Sequence, residues 1–144
     1  MVGKKVIMKY KEIVTAYLDS QGIKYLNSVD QPSRISLLFN TDNIPQITVN
    51  VFFDEQDKPN VQFVGYDIVK FNEENLIKGL EICNELNMEY RWLTFYINDT
   101  HSLVVNADAL YNTENCGEIS LSYILKMVNI VDQAYPKIMK NLWT

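Results

Sequence analysis

The sequence predicts an α+β domain: one antiparallel five-stranded sheet with helices on one face, in the order α-β-β-β-α-β-β-α. Three observations lead there. Apolar residues recur at helical spacing in an early, a middle and a late stretch. Between these stretches lie two groups of β-rich segments with alternating apolar and polar residues. Within each group the segments are joined by short polar turns, which makes neighbouring strands antiparallel.

The first helix is predicted over Lys9–Gln21, where Tyr10, Ile13, Val14, Tyr17 and Leu18 share a face. Gly22 follows at the left-handed position past a helix end, and Ile23 completes a Schellman-type stop. Three strands come next. Arg34–Asn40 is short and β-rich, and in Gln46–Asp54 the residues Ile47, Val49, Val51 and Phe53 share one face. The third, Val61–Lys70, holds Gly65, which signals a bulge or a close backbone approach.

The second helix is predicted to start at Asn72 as N-cap, with Phe71 and Leu76 at the hydrophobic-staple positions and a stripe of Leu76, Ile77, Leu80, Cys83 and Leu86. A hairpin of Tyr90–Asn98 and Ser102–Leu110 follows, turning at Asn98-Asp99-Thr100-His101. The last helix is predicted over Glu118–Asn141, with Asn115 and Glu118 at capping-box spacing. Its apolar stripe is wide enough to imply burial on more than one side, and Pro136 is expected to kink or break it. Neither an internal repeat nor a low-complexity linker is evident.

The chain has 144 residues, 47% of them hydrophobic and 22% charged, which fits one domain over 1–144 with one core. The net charge is −5. Acidic chains are repelled by phosphate backbones, so no nucleic-acid partner is expected, and the lysines at 4, 5, 9 and 11 read as a solvated helix start. No apolar run is long enough for a membrane span or a signal-peptide core, so a cytoplasmic protein with no membrane partner is expected. Cys83 and Cys116 form neither a disulfide framework nor a metal motif.

Several segments together resemble the YbjN family, whose fold is like that of type III secretion chaperones. They are AYLDSQGIKY (Ala16–Tyr25), ITVNVFFDE (Ile47–Glu55), NEENLIKGLEICNELNMEYRWLTFYIND (Asn72–Asp99) and ISLSYILKMVNIVDQAYPKIM (Ile119–Met139). The resemblance spans nearly the whole chain and lies in element order and spacing. It implies a small bacterial cytoplasmic protein, with a regulatory label and no agreed active-site motif. The related secretion chaperones dimerise and bind segments of partner proteins, so chaperone activity here is a fold-level analogy.

Catalytic chemistry finds little footing. The single histidine, His101, falls in a turn without a partner, and Asp54-Glu55-Gln56-Asp57 reads as a solvated turn lacking the calcium-loop glycine and glutamate. Phosphate-cradling, nucleophile-elbow and dinucleotide motifs are absent from the sequence. No catalytic residue, metal or cofactor is therefore expected. If Ile47, Val49, Val51 and Phe53 face the helices, alternation places Leu38, Phe52, Trp92, Tyr96 and Val104 on the opposite face of the sheet. Aromatic residues on an uncovered face favour a non-enzymatic protein-interaction module, binding a partner or a second copy as a homodimer. The wide face of the last helix is the other surface available. A small-molecule sensory domain is the competing reading, its pocket lying between sheet and helices near Tyr66, Tyr90, Tyr111, Tyr123 and Tyr135.

Overall fold

The computed structural model describes residues 8–143; Lys4 and Lys5 of the basic cluster lie outside the described residues. The elements run α1 (Lys9–Ser20), β1 (Leu26–Asn27), β2 (Arg34–Phe39), β3 (Ile47–Phe53), β4 (Asn60–Gly65), α2 (Leu76–Glu89), β5 (Thr94–Ile97), β6 (Leu103–Leu110) and α3 (Cys116–Leu142). All strands form one antiparallel sheet of six, in the order β1-β2-β3-β4-β6-β5. The predicted five strands gain a sixth because Leu26–Asn27 pairs with Ser36 and Ile35. Two residues are too few to show a period.

One face of the sheet carries the core. Ile35, Leu37, Val49, Val51, Phe63, Phe95, Leu103 and Val105 are fully or almost fully buried there. They meet Val14 and Leu18 of α1, Ile82 and Leu86 of α2, and Ile124, Met127, Val131 and Ile138 of α3 in one apolar cluster. The face lies in register across strands: Leu37 opposite Val49, Val51 opposite Phe63, Phe63 opposite Ala107, Phe95 opposite Val105.

α3 is the central helix. It packs against α1, α2 and β3, which buries Ile124, Met127, Val131 and Ile138 of its wide stripe and leaves Leu125 exposed. At the α1–α3 crossing Gly117 allows near contact: a Cβ there would lie 2.6 Å from Tyr17 Cβ. Pro136 does not break α3, which runs unbroken to Leu142. Proline leaves the carbonyl four residues earlier without its helical donor. That carbonyl, on Asp132, accepts instead from the side-chain amide of Asn43 at 3.1 Å, while Asp132 Oδ1 accepts from the Asn43 N–H at 2.8 Å.

Helix ends follow local chemistry. α1 closes in a Schellman motif, with Gly22 at φ 71°, its N–H bonded to Asp19 O and Ile23 N–H to Leu18 O. Its start is capped from elsewhere, as Asp57 Oδ1 accepts from Tyr10 N–H. α2 and α3 are entered through one repeated device. Asn72 N–H donates to Asn75 Oδ1 and Asn75 N–H to Asn72 Oδ1; Asn112 and Asn115 do the same. The box before α3 is therefore Asn112–Asn115, not the expected Asn115–Glu118, and Asn72 caps a leading turn ahead of α2. Phe71 and Tyr111, both buried, precede the two boxes, so FNEEN and YNTEN form a short repeat.

Gly65 closes β4 against Val105, whose Cγ1 would sit 2.9 Å from an added Cβ. The expected bulge follows at Tyr66-Asp67, where Asp67 has φ 54°. Pairing then resumes at the isolated bridge Lys70↔Ser102, just before β6, the β4 side having spent two extra residues.

Candidate functional site

Leu38, Phe52 and Tyr96 lie on the sheet face opposite the helices, as alternation requires, and stand outside the apolar core. Leu38 is 47% exposed, Tyr96 39% and Phe52 is half-buried. Three further apolar residues join them: Leu26 on the added strand, Leu110 at the end of β6 and, on the bulge, Tyr66, which the sequence reading assigns to an internal pocket.

Two of the expected face residues need correction. Val104 is on this face, opposite Tyr96 in register, but has no exposed surface. It belongs to a low floor with Val64 and Asn50, below taller neighbours. Trp92 is on the helical side. The backbone at Trp92 has φ 80°, and β5 begins only at Thr94. Trp92 precedes the strand, and its left-handed backbone takes it out of the two-residue alternation, which holds from Leu93 onward with Leu93 and Phe95 buried and Tyr96 exposed. The indole meets Tyr123 of α3 edge-on at 6.3 Å and lies under Lys126 Nζ at 4.9 Å.

The floor is polar at its centre. Asn50 is buried, accepts from Ser36 Oγ at 2.9 Å and donates to Val64 O at 3.3 Å. Those bonds satisfy an amide that no described helix covers. Two concavities flank it. One, of 670 Å³, crosses the end of the sheet along Phe52, Gln62 and Asp108, bounded by Leu110 and the turn Asp54-Glu55-Gln56. The other, of 370 Å³, is lined by Thr48, Asn50, Tyr66 and Ile68. Both are open to the surface. Burial raises the Tyr66 phenol above its usual range, the nearby Tyr96 adding to the effect.

The groove at Phe52 is lined by three carboxylates, those of Asp54, Glu55 and Asp108. Asp54 Oδ2 is engaged by the Gln56 and Lys58 N–H groups, which hold the hairpin turn. His101, at φ 62°, belongs to the β5–β6 turn, where its N–H donates to Asn98 O and its carbonyl accepts from Phe71 N–H. Among the described residues, no three His, Cys, Asp or Glu side chains gather as metal ligands. No described helix is long and apolar enough to cross a membrane.

The tyrosines named for an internal pocket fill space instead. Tyr111 stacks on Tyr10 at 5.2 Å, Tyr123 on Phe63 at 5.3 Å, and Tyr90 tilts against Phe95 at 6.3 Å. Tyr66 is on the other face, and Tyr135 packs half-buried against the core.

No family model and no curated protein sequence matches the chain. The crystal structure of YbjN from E. coli does match in three dimensions. It superposes with a TM-score of 0.61 at 11% sequence identity, covering 92% of this chain and 96% of that one. The chain has the YbjN fold. The likeness spans the full α+β arrangement, so the YbjN fold expected from element order holds. At that identity the likeness concerns the fold; YbjN itself is described as a candidate transcription regulator.

Proposed function

We propose that this chain is a non-enzymatic protein-interaction module that holds a partner protein against the outer face of its sheet. The observation that carries this reading is the sheet face that no described helix covers. Leu38, Phe52, Tyr66 and Tyr96 surround a hydrogen-bonded floor, and an open groove adjoins them. Apolar rings beside polar handles favour protein contacts. The carboxylates of Asp54, Glu55 and Asp108 select a segment that pairs apolar side chains with lysine or arginine. The same carboxylates, on a chain of net charge −5, disfavour a direct nucleic-acid contact. A regulatory role of the kind described for YbjN would then operate through protein contact. Both cysteines are free and buried, which suits the reducing cytoplasm.

The test is a peptide array of extended segments varying in charge and apolar content, read by fluorescence anisotropy. Binding of basic, apolar-containing peptides is expected, weakened by salt and by Phe52→Lys or Asp108→Asn, and unchanged in Trp92→Ala. Failure to bind any peptide, equal binding by Phe52→Lys, or preferential binding of duplex DNA would overturn the reading.

A further inference from the structure

The groove at Phe52 and the start of α1 stand side by side. Met8, the residue before α1, lines a small concavity with Pro32, Ser33 and Glu55. Glu55 also lines the groove, so the two hollows share a wall. Two contacts fix the helix start there. Tyr10 N–H donates to Asp57 Oδ1 in the β3–β4 turn, and the Tyr10 ring stacks on Tyr111, next to Leu110 at the bound of the groove. The chain therefore enters α1 beside the groove.

What precedes Met8 in sequence has the composition that this groove selects. Residues 2–7 place Lys4 and Lys5 between Val2 and the pair Val6-Ile7. The other two lysines of the basic cluster are engaged elsewhere: Lys9 lies over the Tyr10 ring and Lys11 donates to Pro32 O. Within the groove Asp54 is held by its own turn, whereas Glu55 and Asp108 are in no ion pair among the described residues. The lengths also agree. Phe52, Gln62 and Asp108 are register neighbours on three successive strands, which sets Asp108 about 10 Å from Phe52. A residue spans at most about 3.3–3.6 Å of chain, so Lys5 and Lys4 can reach about 10–14 Å from Met8. We propose that residues 2–7 are an internal ligand of the Phe52 groove, occupying it within the same chain and competing with the partner segment. The proposal rests on the reading of the groove as a site for basic, apolar-containing segments, and it adds regulation: a partner binds only by displacing the chain's own lysines from Glu55 and Asp108.

The probe is a fluorescein-labelled peptide of residues 1–8, titrated with the full chain and read by anisotropy. Replacing both lysines in the full chain, Lys4→Ser with Lys5→Ser, should tighten binding of the probe by about tenfold, because a short tether holds the competing segment at roughly millimolar effective concentration. Lys24→Ser with Lys78→Ser changes the net charge equally but lies near β1 and on α2, and should leave the affinity unchanged. Cysteine pairing gives a direct readout. Lys5→Cys with Gln62→Cys should form a disulfide within one chain under mild oxidation, at every protein concentration. Lys5→Cys with Val29→Cys, at a site 97% exposed, should not, and Cys83 and Cys116 are buried and cannot substitute. Equal affinity in wild type and the Lys4→Ser, Lys5→Ser chain, equal disulfide formation at 62 and 29, or disulfides only between copies would overturn the internal ligand and leave the groove reading in place. A Lys4→Ser, Lys5→Ser chain that binds no basic peptide overturns both.

Discussion

The two faces of the sheet are built from the same strands by the same alternation, yet they bury their residues differently. On the helical face, Val51, Phe63 and Val105 are sealed by three helices and form part of one continuous cluster. On the other face, Val64 and Val104 are equally hidden but lie outside that cluster, in a floor with Asn50 at its centre. Burial by a helix binds distant parts of the chain together. Burial below neighbouring side chains binds little and leaves their tips, Leu38 and Tyr96, free for another molecule. Substitutions on the first face should therefore report as stability, and those on the second as binding.

The sharpest contrast is Phe63→Ala, which empties the centre of the helical face and should cost about 3–5 kcal/mol in chemical denaturation. A loss below about 1 kcal/mol would mean that the helices are not the seal. Gly117→Ala tests the same side by overpacking, because its new methyl meets Tyr17; about 1–3 kcal/mol is expected from urea melts. Asn50→Ala probes the outer floor and should cost about 1–3 kcal/mol, since Ser36 Oγ loses its acceptor. Tyr96→Ser should change stability by less than about 1 kcal/mol while reducing peptide binding in anisotropy titrations. An unfolded Tyr96→Ser variant would erase the distinction between the faces.

The last effect, which changes only at alkaline pH, belongs to Cys83. Burial pushes its thiol from 9.0 to about 11. The folded state holds this proton more tightly than the unfolded chain, so the stabilisation is complete below the unfolded value and is lost as pH rises through about 9 to 11. Thermal melts across that window should show a decline that is shallower in Cys83→Ala than in wild type. Identical slopes would show that the thiol does not contribute.

What could be read from the sequence follows the reach of each physical signal. Ile47, Val49, Val51 and Phe53 announce their face because period two persists over the whole strand. Gly22 announces the end of α1 because few other residues take a left-handed φ without strain. Trp92 was misplaced because its left-handed backbone ahead of β5 takes it out of the alternation, and tryptophan does not advertise that conformation. Val104 was correctly faced, but its exposure depends on the heights of neighbouring side chains, which alternation does not encode. The tolerance of α3 for Pro136 depends on Asn43, 89 residues from Asp132, and no local rule reaches that far. The Asn72–Asn75 and Asn112–Asn115 boxes were legible as a spacing, N-x-x-N, but were hidden by the usual Ser/Thr-x-x-Glu pattern.

The contact between Gly117 and Tyr17 has a consequence in time. Tyr17 belongs to α1 and Gly117 to α3, so the α1–α3 interface joins segments that are synthesised far apart in time. While the chain emerges from the ribosome, α1 and the sheet must wait, with Val14 and Leu18 lacking their α3 neighbours, until α3 follows. Long-range closure of this kind slows folding relative to a chain whose neighbours in space are neighbours in sequence. The domain completes itself late, and in that interval its apolar surface is open to chaperones and to other nascent chains.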